Sequence, residues 1–161
     1  MHTLKILNTH DTKKILSTLK EQWGFCEKLN YAFVVNAKGK VHAVTREFAR
    51  VIDLKLRIDT IGFYFGTWNS DGFRLSIEGS QIIGPLAKKN VVLLDEKEIV
   101  DWAKGIDIEK ETDCTGYVIL RKEDDFIGCG RIKEGRILNY IPRNRRLREV
   151  NRITSGETAE D

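Results

Sequence analysis

The tetrapeptide Asn69-Ser-Asp-Gly72 constrains this chain more than any other feature, because of what flanks it. Ile61-Gly-Phe-Tyr-Phe-Gly-Thr-Trp68 precedes it and Phe73-Arg-Leu-Ser-Ile-Glu78 follows, both rich in aromatic and β-branched residues. Two such runs around four turn formers predict a β-hairpin, with glycine available for positive φ. A hairpin imposes antiparallel pairing. Tyr31-Ala-Phe-Val-Val35 and Val41-His-Ala-Val44, joined by Asn36-Ala-Lys-Gly-Lys40, predict another. Ahead of them Thr9 is placed to cap a helix. Ile15, Leu16, Leu19 and Trp23 form its apolar stripe and Gly24 ends it. Thr45 is placed to cap a short helix through Phe48, Val51 and Ile52. The expected fold class is α+β, with an N-terminal antiparallel sheet and helices.

The best junction is Gly84-Pro85-Leu-Ala-Lys-Lys-Asn90, which holds one of only two prolines and a basic step. It divides the chain into 1–86, 87–153 and a frayed acidic tail, 154–161. Beyond it, Val91-Val-Leu-Leu94 reads as a strand. Asp95 and Glu98 have capping-box spacing for a helix with Ile99, Val100 and Ala103 on its apolar side, terminated by Gly105. Gly116–Arg121 and Phe126–Ile132 around Lys-Glu-Asp-Asp125 predict a third hairpin, and Arg136–Ile141 a further strand. One helix among several short strands suggests a small barrel.

Catalysis finds little support. His2, His10 and His42 share no metal-ligand spacing, and no serine, cysteine or threonine lies in a nucleophile elbow. The pairs Gly62/Gly66 and Gly128/Gly130 complete no phosphate-binding loop, and Asp124-Asp125 falls in a turn. Cys26, Cys114 and Cys129 are odd in number and lack CxxC spacing, so they are read as small buried apolar residues. The residues therefore predict no enzyme, no metal and no cofactor. Apolar residues at 41% and charged ones at 32% describe an ordinary globular chain. No apolar run reaches the ~18–20 residues of a membrane span. A cytoplasmic protein that does not engage membranes is expected.

Charge points to a partner. From Arg131 to Arg152 there are eight Lys/Arg against two acids, giving +6 where the whole chain carries +3. The remainder is thus acidic by three. Seven of the eight cations are arginine, whose planar fork suits phosphate. A solvated surface strand is the plain reading of Lys133, Arg136, Arg143, Arg145, Arg146 and Arg148. Their concentration, with Pro142 fixing the turn before Arg143, favours a polyanion, and RNA is the expected one. Changing Arg143, Arg145 and Arg146 together to alanine should weaken binding without unfolding the chain. Tyr140 is open to two uses, stacking on a base or filling the core. Gly128 and Gly130 leave one strand face bare, for close packing or for the approach of a nucleic-acid backbone. Trp23, Trp68 and Trp102 are read as core aromatics.

Val91-Val-Leu-Leu-Asp95, Trp102-Ala-Lys-Gly105, Gly116-Tyr-Val-Ile-Leu-Arg121 and Phe126-Ile-Gly-Cys-Gly-Arg131, in that order, resemble a PUA domain. Phe65-Gly-Thr-Trp-Asn-Ser-Asp-Gly-Phe-Arg-Leu-Ser-Ile-Glu78 with Ile82-Ile-Gly-Pro-Leu-Ala-Lys88 resembles the domain preceding it in small NIP-type ribosome-biogenesis factors. Leu138-Asn-Tyr-Ile-Pro-Arg-Asn-Arg-Arg146 is similar to the PUA-like tail of Sun-type RNA cytosine-5 methyltransferases. The resemblance implies an α+β domain followed by a PUA-like pseudo-barrel that binds structured RNA (rRNA or tRNA) without catalysis, in rRNA maturation, ribosome biogenesis or RNA modification. It further implies an RNA surface at Arg143, Arg145, Arg146 and Arg148, and a groove involving Lys104 and Gly105. The alternatives are a protein-interaction adaptor for RNA-processing proteins, or a stand-alone PUA partner of a cytosine-5 methyltransferase.

Overall fold

A computed structural model describes residues 4–51 and 62–148. Ile52, Ile61, His2 and the 154–161 tail, all used in the expectations above, lie outside the described residues, as does Arg152.

Helix α1 (Thr9–Trp23) ends as its sequence demands, with Gly24 left-handed at φ 68° and its N–H donated to Lys20 O. Its cap is Asn8 rather than Thr9: the Asn8 Oδ1 accepts from Asp11 N at 2.8 Å. Both residues suit the role chemically, and the backbone chose the earlier one. The first sheet is a meander of β1 (Lys5–Ile6), β2 (Tyr31–Val35), β3 (Lys40–Thr45), β4 (Phe63–Asn69) and β5 (Gly72–Leu75), antiparallel throughout in chain order. Thr45 Oγ1 accepts from Phe48 N and opens α2 (Arg46–Val51).

The run Phe73–Glu78 is not strand to its end. β5 stops at Leu75, and Ser76 becomes the cap of α3 (Ile77–Ile83), its hydroxyl accepting from Gly79 N at 2.9 Å. Alternation of apolar and polar residues over six positions cannot exclude this outcome. The deciding contact is tertiary, because a Cβ on Gly79 would stand 2.3 Å from Phe65 O. Only glycine lets α3 press so closely on β4.

The second sheet contains β6 (Val91–Leu93), β7 (Ile108–Glu109), β8 (Tyr117–Lys122), β9 (Asp125–Lys133) and β10 (Arg136–Leu138). Their order is β6-β8-β9-β10-β7, with β6 parallel to β8 and the other pairs antiparallel. Helix α4 (Glu96–Ala103) carries the chain from one edge strand to the other, starting on the expected reciprocal Asp95–Glu98 capping box. The bare face at Gly128 and Gly130 receives the Trp102 indole. A Cβ on Gly130 would lie 3.0 Å from Cη2, and one on Gly128 3.4 Å from Nε1. Close packing is thus what these two glycines permit. The expected strand Arg136–Ile141 ends at Leu138.

The largest apolar cluster runs across both sheets. It joins Trp23, Phe33, Phe65, Phe73 and Ile83 to Tyr117, Ile119 and Cys129, while a second, built on Val118, Leu120, Ile137 and Trp102, fills the space beneath α4. Polar contacts add to the join. Gln22 exchanges hydrogen bonds with the Phe73 backbone, Asn90 donates to Gln22 O, and the Asp71 carboxylate accepts from Tyr117 Oη and pairs with Arg131 at 2.8 Å. Trp23 and Trp102 are core residues as expected, whereas Trp68 is 39% exposed because its strand face opens to solvent beside α1.

The cysteines divide likewise. Cys129 is buried, but Cys26 is exposed and Cys114 intermediate, since only Cys129 lies on a strand facing the core. Burial raises the Cys129 thiol to about 12. At neutral pH it should remain unalkylated in the native protein while Cys26 reacts with iodoacetamide. Mass spectrometry of a labelling time course checks this; modification of Cys129 as fast as Cys26 would contradict the fold.

Candidate nucleic-acid interface

The interface begins where β10 stops. Asparagine is disfavoured inside strands, and Asn139 ends this one by turning its side chain into the backbone of its neighbours. Its Nδ2 donates to Trp102 O at 2.8 Å and to Ile106 O at 3.1 Å. Its Oδ1 accepts from Ile141 N, and its own N–H donates to Asp107 Oδ1. The chain after β10 is thereby tied to the C-terminal end of α4. Pro142 then leads into a 3-10 turn, Arg143–Arg145, and Leu147 N donates back to Ala103 O at 2.7 Å.

This strap brings together the two sets of residues expected separately. Arg146 lies against Gly105, where a Cβ would stand 2.4 Å from its Nε, and the same Nε donates to Ile141 O at 3.0 Å. Gly105 holds φ +89°, so this position favours glycine on two counts. Lys104 closes α4 as its C-cap. Cations here face the negative end of the helix dipole, a favourable placement.

The expected arginines therefore fall into distinct roles. Arg146 is half-buried and built into the fold, so the triple alanine change proposed above would disturb structure as well as charge. Arg145 Nη1 meets Glu78 Oε1 at 2.6 Å, an ion pair reaching from the strap to α3 with both partners about half exposed. Arg143 and Arg148 are exposed, and no acid among the described residues pairs with either. Lys133 and Arg136 are also exposed, but they face each other across the β9–β10 turn, with Glu109 opposite Arg136. They lie at the far end of β10 from the strap, about 10 Å of strand away.

Of the two uses expected for Tyr140, the structure shows the core one. It packs against the shared core, and the Arg74 guanidinium sits 4.3 Å from its ring centroid. That contact is an intramolecular cation–π pair joining the sheets. Arg74, Glu78 and Asn139 were not singled out in the sequence. Asn139 had a legible signal, a poor strand former inside a supposed strand. Arg74 and Glu78 had none, because their partners lie more than 60 residues away in the chain.

The second sheet, its crossing helix and the basic strap are consistent with a PUA-like fold, packed against the first sheet through a shared core. Residues 89–147 match the family model described as the Methyltransferase RsmF PUA domain. Two relatives, both named ribosomal RNA small subunit methyltransferase F, come from Aeromonas salmonicida (strain A449) and Aeromonas hydrophila subsp. hydrophila. Each is 32% identical over 90 residues, which is 55% of this chain and 19% of the relative. The chain thus spans about a fifth of the length of these relatives. No helix among the described residues is long and apolar enough to cross a membrane.

Proposed function

We propose that this chain is a noncatalytic, cytoplasmic RNA-binding protein acting in rRNA modification, with the strap of its PUA-like domain as the contact surface. The observation that carries this reading is the pair Arg143 and Arg148. Both are exposed and without an acidic partner among the described residues, on a strap that Asn139 and the Leu147–Ala103 bond hold in place. Guanidinium groups carried on a fixed backbone lose less entropy on gripping phosphate than the same groups on a loose tail. Lys104 beside Gly105 adjoins the same surface.

The names of the relatives favour rRNA modification over the ribosome-biogenesis role implied by the NIP-type resemblance, and support the reading of the chain as a PUA partner of a methyltransferase. Under that reading the methyl transfer belongs to another polypeptide segment, and the purified chain should transfer no methyl group to RNA.

Anisotropy of a labelled structured rRNA fragment, measured across a salt series, tests the proposal. With about four cations on phosphate, log affinity should fall against log salt with a slope near −3, roughly 0.7–0.9 per contact. An affinity indifferent to salt would overturn it, and methyl transfer by the chain alone would overturn its noncatalytic part.

A further inference from the structure

Between the two sheets, beside the strap, lies a cavity of about 170 Å³. Three cations line it, Lys40 from β3, Arg74 from β5 and Arg145 from the strap, against the single acid Glu78. Lys40 is exposed, and Arg145 and Glu78 are about half exposed, so the charged wall is open to solvent. This placement runs against the charge of the chain. Outside Arg131–Arg152 the sequence is acidic by three, yet here it contributes two cations and one acid, and Arg145 engages that acid at 2.6 Å.

Lys40 and Arg74 have no acidic partner among the described residues. Aromatic rings hold them instead. Lys40 Nζ stands 5.8 Å from the Tyr64 centroid, and the Arg74 guanidinium 4.3 Å from that of Tyr140. A ring face attracts a cation but is no substitute for hydrogen-bond acceptors, and both groups carry donors only. Cations gathered on one wall repel each other unless an anion lies among them. Oxyanions answer both needs, and a guanidinium fork matches phosphate. The cavity also continues the strap: Arg145 lines it and shares a 3-10 turn with the exposed Arg143.

We propose that the phosphate backbone of the bound RNA runs from the outer face of the strap into this seam, where one phosphate lies among Lys40, Arg74 and Arg145. The inference rests on the RNA-binding reading and deepens it, because the first sheet then shares in the contact. Glu78 holds Arg145 in the free protein and yields it to the phosphate. Tyr64 and Tyr140 keep the two unpaired cations at the seam before the RNA arrives, so less side-chain freedom is lost on binding.

The test uses the full chain and a labelled structured rRNA fragment. Lys40→Gln should weaken binding roughly tenfold at low salt, as for one charged contact, and flatten the salt slope by roughly 0.7–0.9. Glu78→Gln should act in the opposite direction and tighten binding roughly two- to fivefold, since Arg145 no longer has an ion pair to leave. In the ¹⁵N-labelled chain the Arg74 Nε–H resonance, assigned by its loss in Arg74→Gln, should move when RNA is added. Inorganic phosphate at the same concentration should leave it in place. If Arg74→Gln does not fold, the Lys40 and Glu78 variants decide. Binding that falls with Arg143→Ala and Arg148→Ala, but is unchanged by Lys40→Gln and Glu78→Gln, would overturn the seam contact and spare the RNA reading. An Arg74 signal that answers inorganic phosphate as strongly as RNA would do the same, assigning the cavity to a free anion. Failure to bind RNA in a salt-dependent way would overturn both.

Discussion

Replacing Ile119 with alanine is expected to destabilise the protein by about 2–5 kcal/mol, the range for truncating a fully buried aliphatic side chain. The site has little freedom to collapse. Ile119 is 0% exposed, sits opposite Cys129 on β9 and Val91 on β6, and belongs to the cluster that also holds Phe33, Phe65, Phe73 and Ile83. Because this cluster includes residues of both sheets, the loss should be felt on both sides of Gly84-Pro85. Urea unfolding followed by tryptophan fluorescence and by far-UV circular dichroism checks this, since Trp23 and Trp102 report on different clusters. The two signals should coincide and shift together to lower urea with an unchanged slope. Two separated transitions would show that the halves unfold independently and that the shared core contributes little.

The second large effect concerns binding. Arg143→Ala with Arg148→Ala should weaken association with structured RNA roughly a hundredfold at low salt, taking each charged contact at about 1.5 kcal/mol. It should also flatten the salt slope by roughly 1.4–1.8, two contacts' share of released counterions. The melting temperature should stay unchanged, since neither side chain has a partner among the described residues. Arg146→Ala should behave in the opposite manner. Its Nε bond to Ile141 O and its contact over Gly105 hold the strap to α4, so stability should fall, by about 1–3 kcal/mol. Parallel melts and binding curves distinguish the two. Equal effects on both quantities from both variants would remove the distinction between gripping and structural arginines.

That distinction could not be drawn from the sequence, where Arg143, Arg145, Arg146 and Arg148 are chemically alike. Which of them faces solvent depends on where the chain turns after β10. The turn depends on Asn139 finding the carbonyls of Trp102 and Ile106, more than 30 residues earlier. The same limit explains Phe73–Glu78. Its alternation reads as a strand throughout, and only the closeness of Gly79 to Phe65 O shows why a helix begins at Ser76. The Asp95–Glu98 box, the Gly24 stop and the hairpins around Gly39 and Gly72 were legible because each is settled within a few residues.

By itself, then, the sequence determined the α+β class, most strands and helix ends, and the concentration of positive charge after Arg131. These follow from local propensity, capping and turn chemistry, which act over one to six neighbours. Tertiary structure alone decided that the strap lies on the end of α4, that Arg145 answers Glu78 and Arg74 answers Tyr140, and that a cavity opens between the sheets. Each of these joins residues distant in the chain, and such contacts have energies set by packing rather than by any pattern along it. The strap arginines, Arg143, Arg145, Arg146 and Arg148, are thereby resolved into a structural one, a paired one and two exposed ones.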